Sequence, residues 1–506
     1  MFYRQPHTTQ RVDPVAAASS PRESDLQKRR LEATATTRRS LLKAAGCGFG
    51  YTALSAMLGE SARAANPLAV KEPHFPARAK RVIFLFMQGG PSPMESFDYK
   101  PQLNADHGKV APFQREAKIE QPGVGAMRLF GSGWKFKQYG ESGTWASELF
   151  PHIGGVIDEI AVLNGMHTDN LAHAPACMQI HTGATNFVRP SAGAWVLYGL
   201  GTANQNLPGF ITINPQLSGD GGSPQHFGSA FLPAIYQGTA VRLPNAAGAN
   251  ADIRYLRDTS FPLNRQRQQL DFLRRMNRRH IEATAEDAQL EGMIESFELA
   301  FRMQTEAPEL LKLDGETEAT RKRYGIGEGP TDAFGRQCLL ARRLAESGVR
   351  FIQVNSGGWD HHSNIKKSLP RNAKSVDKPI AGLIRDLKAR GMLEETLLVW
   401  TGEFGRTPYE QDLSNGKGSM ESYGRGHNPF GFTTLMAGGG VRGGVVHGAT
   451  DEYGYRAIDG KVHVHDLHAT MLHQLGLDHE RLTYRYAGRD FRLTDVHGAV
   501  VKEILA

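Results

Sequence analysis

Several short apolar runs, each closed by a glycine-containing or polar turn, leave this 506-residue chain few folds to choose from. Arg81–Met87, RVIFLFM, is apolar almost throughout and ends in Gln88-Gly89-Gly90-Pro91-Ser92. Val349–Val354 lies between Gly348 and Gly357-Gly358, and Thr396–Thr401 runs into Gly402-Glu403-Phe404-Gly405. Short, continuous, β-branched runs between turn signals read as strands buried on both faces. Ile160–Leu163 and Phe432–Ala437 read as further strands. Ala333–Ser347, Lys378–Ala389 and Asp466–Leu475 carry apolar residues at helical spacing. Strands alternating with helices imply a mainly parallel sheet with helices on both faces. Arg81–Met87, Val349–Val354 and Thr396–Thr401 are expected as neighbours, with Ile352 and Leu398 in the core. Leu263 to about Leu311 reads as a charged helical insertion packing on that core, and Ser218 to Gly248, rich in Gly, Pro and Asn, as a surface excursion.

In an open α/β sheet, ligands bind beyond the carboxyl ends of the strands. Acids and histidines fall at or near such ends here: Asp98, His167, His173, Asp360, His362, Glu403, His427 and His447. The densest group is Trp359-Asp360-His361-His362, directly after a strand. A carboxylate with imidazoles suits a divalent metal such as zinc or manganese. Taken singly, each of these residues is equally explained as a capping or hydrogen-bonded loop residue. Gathered at one sheet edge, they point to a shared site. Arg406, three residues from Glu403, is placed to hold an anionic group bidentately, or else forms a salt bridge of little worth.

The N-terminus carries a different signal. Thr37-Arg38-Arg39-Ser40-Leu41-Leu42-Lys43 is a twin-arginine pattern, Ala44 to Leu58 is weakly apolar, and Ala62-Arg63-Ala64 offers a small-x-small cleavage site. Residues 1–64 therefore read as an export leader and 65–506 as the mature domain. Of the formal net charge of +7, +5 lies in the leader, so the mature part is nearly balanced and gives no case for nucleic acid. No apolar run is long enough for a membrane span. Only Cys177 and Cys338 follow the leader, too few for a disulfide framework. Gly438-Gly439-Gly440-Val441-Arg442-Gly443 fits GxGxxG, yet the strand-like Gly444-Val445-Val446-His447 follows where a dinucleotide site needs a helix. There is no GxSxG elbow, no Walker A motif and no CxxC pair.

FMQGGPSPMESFDYKP (86–101), HAPACMQIHTG (173–183), GGWDHH (357–362), GEFGRTP (402–408), GHNPFGFTTLMAGGG (426–440) and HDLHATMLHQLG (465–476) resemble an exported bacterial family, the domain of unknown function 1501. That family is distantly similar to sulfatases and the alkaline phosphatase superfamily. The resemblance implies an α/β sandwich with metals beyond the strand ends and a Ser, Thr or Cys nucleophile acting on phosphate or sulfate esters. The carry-over is partial. Gly89 and Gly90 stand where sulfatases have paired aspartates, His173 stands at the nucleophile position, and Glu403-Phe404 replaces an Asp-His or Asp-Asn pair. Gly426 stands where an Asp often precedes His427. Asp360 and His362 match the retained metal pair. Strand-end position and the resemblance together give expected metal ligands among Asp360, His362, Glu403, His427, His447 and Asp98, with catalytic roles for His173, Glu403 and Arg406; His173 is a ligand, a general base or a phosphorylated nucleophile, and Glu403 a ligand or base. The expected protein is an exported metal-dependent hydrolase of phosphate or sulfate esters, carried by the twin-arginine translocation machinery and acting in the periplasm or outside the cell. Its substrate would be a small molecule or a polysaccharide. The alternative is a non-catalytic binding or cell-surface relative, consistent with the missing nucleophile and aspartates.

Overall fold

The computed structural model describes residues 66–114, 127–219, 221–244, 251–253, 256, 260–283, 288–413 and 421–506. The expected leader lies outside them. In chain order the elements that matter begin with β1 (Arg81–Met87), β2 (Ile160–His167), α1 (His173–Thr182), α2 (Ala192–Leu200), β3 (Phe210–Ile213), β4 (Thr239–Arg242) and β5 (Asp252–Ile253). Then come α3 (Leu263–Ala283), α4 (Ala288–Leu311), α5 (Asp332–Glu346), β6 (Phe351–Ser356), α6 (Ile365–Ala389) and β7 (Thr396–Thr401). The chain continues through β8 (Gly405–Gln411), β9 (Gly424–Asn428), β10 (Phe432–Ala437), β11 (Val446–His447), β12 (Val462–His463) and α7 (Val464–Gln474).

One mainly parallel sheet, flanked by helices, runs in the order β11-β2-β10-β7-β1-β6-β3-β4-β5, and β12 also pairs with β2. As expected, β1 is central, parallel to β6 on one side and to β7 on the other, with Leu85 opposite both Val354 and Trp400. Ile352 and Leu398 are buried. Because successive side chains point to opposite faces, Phe84 and Phe86 pack against His181 of α1. Trp400, in register with the intervening Leu85, meets Phe97 and Trp359 on the other face.

Three details differ from the sequence reading. β10 runs antiparallel to both its neighbours, β2 and β7, so its amino end shares an edge with the carboxyl ends of the parallel strands. The segment read as a surface excursion supplies β4, which pairs with β3, and buries Phe227, Leu232, Ile235 and Tyr236; composition rich in turn residues masked a strand. The helix read from Lys378 begins at Ile365 and contains Pro370 and Pro379, each of which removes one helical hydrogen bond. The helical insertion is present as α3 and α4, and Leu299, Met303, Ala307 and Leu311 of α4 join the core. The glycines after β10 form a turn leading to a short strand, not to a helix.

A candidate metal centre

The residues after β1 are shaped by close approach. Gly89 has φ +116°, and a Cβ there would run into the backbone nitrogen of Asp360; at Gly90 it would lie 2.7 Å from the Phe404 ring. Only glycine satisfies both the left-handed backbone and the contact. The end of β1 thus forms a floor on which the loop after β6 lies, and Trp359 N–H bonds the Gln88 carbonyl at 3.2 Å. The paired aspartates of sulfatases have no room here.

Four side chains converge above this floor. His173 from the first turn of α1, Asp360 and His362 from the loop after β6, and His427 from β9 bring ligand atoms within 4.8 Å of one another. His427 arrives through the antiparallel arrangement: β9 leads directly into β10, whose amino end lies at this edge. Asp360 is the hub. Its Oδ1 lies 2.9 Å from His362 Nε2 and 3.2 Å from His427 Nε2, and its Oδ2 lies 3.3 Å from His173 Nε2.

The far nitrogen of every ring is engaged. His173 Nδ1 lies 2.6 Å from Glu403 Oε1, His362 Nδ1 2.6 Å from Gln411 Oε1, and His427 Nδ1 2.6 Å from the Leu171 carbonyl. Each partner is an acceptor, so each Nδ1 must carry the proton and donate. In the neutral ring the Nε2 is then a lone pair aimed at Asp360. Three lone pairs and a carboxylate facing one another repel unless a cation lies among them. The buried His173 Nε2 has no hydrogen-bond partner. Such a donor set could hold a metal ion, with outer partners fixing each tautomer.

Electrostatics agree. Burial by itself would raise the Asp360 carboxyl, but the proximity of His173, His362 and His427 and the Arg406 charge hold it far below the usual carboxylate range. Burial opposes charge on His173, yet Asp360 and Glu403 outweigh it and raise that imidazole to about 9. Desolvation lowers His427 to about 4, against the pull of Asp360. With no ion bound, the pocket draws a proton onto its innermost ring.

The structure distributes the expected site residues unevenly. It brings His173, Asp360, His362 and His427 together. Glu403 is fully buried one layer back, its carboxylate accepting the Gly89 N–H at 2.9 and 3.1 Å as well as His173. It stands behind the converging group and not within it, because His173 lies between. Two expected ligands lie elsewhere. Asp98 is buried against Lys100, at 2.9 Å, and Thr450, at 2.5 Å; His447 sits on the sheet-edge strand β11 opposite Leu163. His167 is near His463. Arg406, expected to hold an anion, is fully buried. It donates to Asp360 at 2.6 Å and to the carbonyls of Gly89, Gly90 and Arg425, which occupies four of its five N–H groups.

Sequence reasoning missed Gln411 and the buried Arg425–Glu95 pair, 2.5 Å apart. That pair anchors β9, whose Arg425 N–H bonds the His361 carbonyl at 2.9 Å. An Arg two residues before His427 and a Glu in the loop after β1 were the available signals. The Leu171 carbonyl left none.

Residues 79–505 match the family described as "Protein of unknown function (DUF1501)". No curated protein matches the chain. Among solved structures it is similar to the PsFucS1 sulfatase from Pseudoalteromonas sp., at 14% identity over 85% of this chain and 72% of that one, with a TM-score of 0.37. It is also similar to the lipoteichoic acid synthase LtaP from Listeria monocytogenes, at 10% identity over 87% and 80%, TM-score 0.32. A third likeness is to the alkaline phosphatase of the Antarctic bacterium TAB5, at 11% identity over 73% and 93%, TM-score 0.29.

Proposed function

We propose that this chain, which belongs to the DUF1501 family, is an exported metal-dependent hydrolase of phosphate or sulfate esters. The observation that carries this reading is the convergence of three imidazole Nε2 atoms and the Asp360 carboxylate, with every Nδ1 tied to an acceptor. Mixed nitrogen and oxygen donors suit zinc or manganese. Such an ion supplies Lewis acidity toward an ester oxygen and makes water more acidic.

The chain's own groups have separable tasks. His173, Asp360, His362 and His427 hold the ion. Glu403, Gln411 and the Leu171 carbonyl keep the rings in the Nδ1–H tautomer. Arg406 fixes Asp360 and balances part of its charge. The Asp360 side chain is 38% exposed and that of His173 only 4%, so an ester reaches the cluster from the Asp360 side while His173 closes the bottom. No serine or threonine nucleophile is required if water attacks the ester directly. Export by the twin-arginine route, with residues 1–64 as the leader, belongs to the same reading. No helix among the described residues is long and apolar enough to cross a membrane.

One observation favours a second reading, a binding protein with a structural metal: Arg406, the natural clamp for a phosphate or sulfate group, is spent on backbone carbonyls and Asp360. Elemental analysis of wild type and Asp360→Ala, with a screen of phosphate and sulfate esters on the same samples, separates the two. Ester turnover by the metal-loaded wild type, lost in Asp360→Ala, supports the hydrolase. Stoichiometric metal without turnover leaves the binding protein. Wild type that binds no divalent ion even after reconstitution overturns both.

A further inference from the structure

Helix α3 is amphipathic the wrong way round for a helix packed on a protein core. The side it turns to α4 is polar: Arg267 pairs with Glu298 and with Asp271 at 2.8 Å, and Arg274 with Glu295 at 3.1 Å and with Glu298 at 3.0 Å. Gln304 of α4 donates to Gln266 at 2.9 Å. Phe272, Leu273 and Met276 are 55%, 41% and 49% exposed. At 3.6 residues per turn these three fall within about 100° of arc, on the side away from Arg267 and Arg274. On α4, Met293 and Phe297, one turn apart, are exposed as well. A globular helix ordinarily buries its apolar stripe, and large apolar groups clustered at a surface mark a docking face.

The charge around that face selects the occupant. Arg275 and Arg279, spaced one turn apart, are exposed and make no ion pair among the described residues. Helix α3 carries six arginines against Asp271 and Glu282. Docking on a second copy through this face would bring the outward Arg275 and Arg279 of two copies together, and like charges oppose that. An apolar stripe beside unpaired arginines matches the headgroup layer of an anionic bilayer, where the side chains enter the acyl boundary and the guanidinium groups meet phosphates. We propose that the outer face of α3 is a peripheral docking surface for anionic phospholipid. It stands apart from the metal centre and does not rest on the hydrolase reading.

The test is co-flotation of the full chain with vesicles of phosphatidylcholine, with and without phosphatidylglycerol, at low and high salt. Binding at least about tenfold stronger to the anionic vesicles, and weakened by salt, is expected. Phe272→Ser with Met276→Ser should abolish it, and Arg275→Gln with Arg279→Gln should reduce it at least about tenfold. These side chains are exposed, so unchanged circular dichroism and metal content identify variants that remain folded. Equal affinity for neutral and anionic vesicles, or folded variants that bind like wild type, would overturn the proposal. So would a concentration-dependent dimer dissolved by Phe272→Ser, which would assign the face to a second copy.

Discussion

His173 Nδ1 and Glu403 Oε1 lie 2.6 Å apart beneath the candidate metal centre, with neither side chain open to solvent. A carboxylate in that position raises the basicity of the opposite nitrogen and fixes its tautomer. Glu403→Gln preserves the shape and removes the charge. Divalent-ion affinity, measured by chelator competition, should fall about 10–100-fold while the protein stays folded. Unchanged affinity would remove Glu403 from the site.

Asp360→Ala should strip the ion and lower the thermal midpoint, because an ion bound only by the folded state stabilises it by mass action. His361 is the natural comparison but not a silent one. It is buried, and both ring nitrogens lack partners. His361→Ala should retain the ion yet cost roughly 2–4 kcal/mol through the cavity left behind. Loss of the ion in His361→Ala would contradict the assignment of the four ligands.

Gly89→Ala should be far more damaging than an exposed Gly→Ala change. It places a methyl group against the Asp360 backbone and a side chain at positive φ. The expected result is a drop in stability exceeding about 2 kcal/mol in urea titration, with reduced metal content. Near-wild-type behaviour would mean that the loop after β6 can move.

Stability should fall in mild acid for a reason unrelated to the metal. His181 of α1, His226 and His468 of α7 are buried, the first two stacked with centroids 4.7 Å apart. Desolvation lowers all three, His226 to about 4 and His468 to about 3. The unfolded chain binds protons below pH 6.5 that the folded chain refuses, so stability is complete above pH 6.5 and is lost as pH falls toward 4. His226→Phe, which keeps a ring in the stack, should flatten the slope of unfolding free energy between pH 4.5 and 6.5 by about one proton's worth. A slope equal to wild type would rule His226 out as a contributor.

The amino terminus of the exported protein should be Ala65 or a near neighbour. A chain in the exported fraction that begins at Met1 or Phe2 would contradict the leader assignment.

The central strands were legible because burial on both faces writes itself as continuous apolar sequence: RVIFLFM and TLLVWT have no polar side to hide. β4 was not, since Thr239–Arg242 is a short, partly exposed strand in a Gly- and Pro-rich stretch. For the site, Asp360 and His362, two positions apart after a strand, stood out, and His173 and His427 were singled out from their places near strand ends. What sequence could not separate was a ligand from the group behind it. Glu403 and Asp360 are both acids just beyond the two strands that flank β1, and only the packing of His173 between them assigns one to each layer. Arg406 misled for a similar reason, since nothing in GEFGRTP reveals that its guanidinium turns inward to the Gly89 and Gly90 carbonyls.

Because β10 runs against its neighbours, the centre closes only when His427, some 250 residues after His173, has been threaded back to the same edge. No local fragment holds more than two of the four converging side chains. On the metal-centre reading an ion offered to the nascent chain would find Asp360 and His362 alone, so loading would follow completion of the sheet and could not nucleate it. The compartment in which the sheet is completed would then decide which metal is taken up.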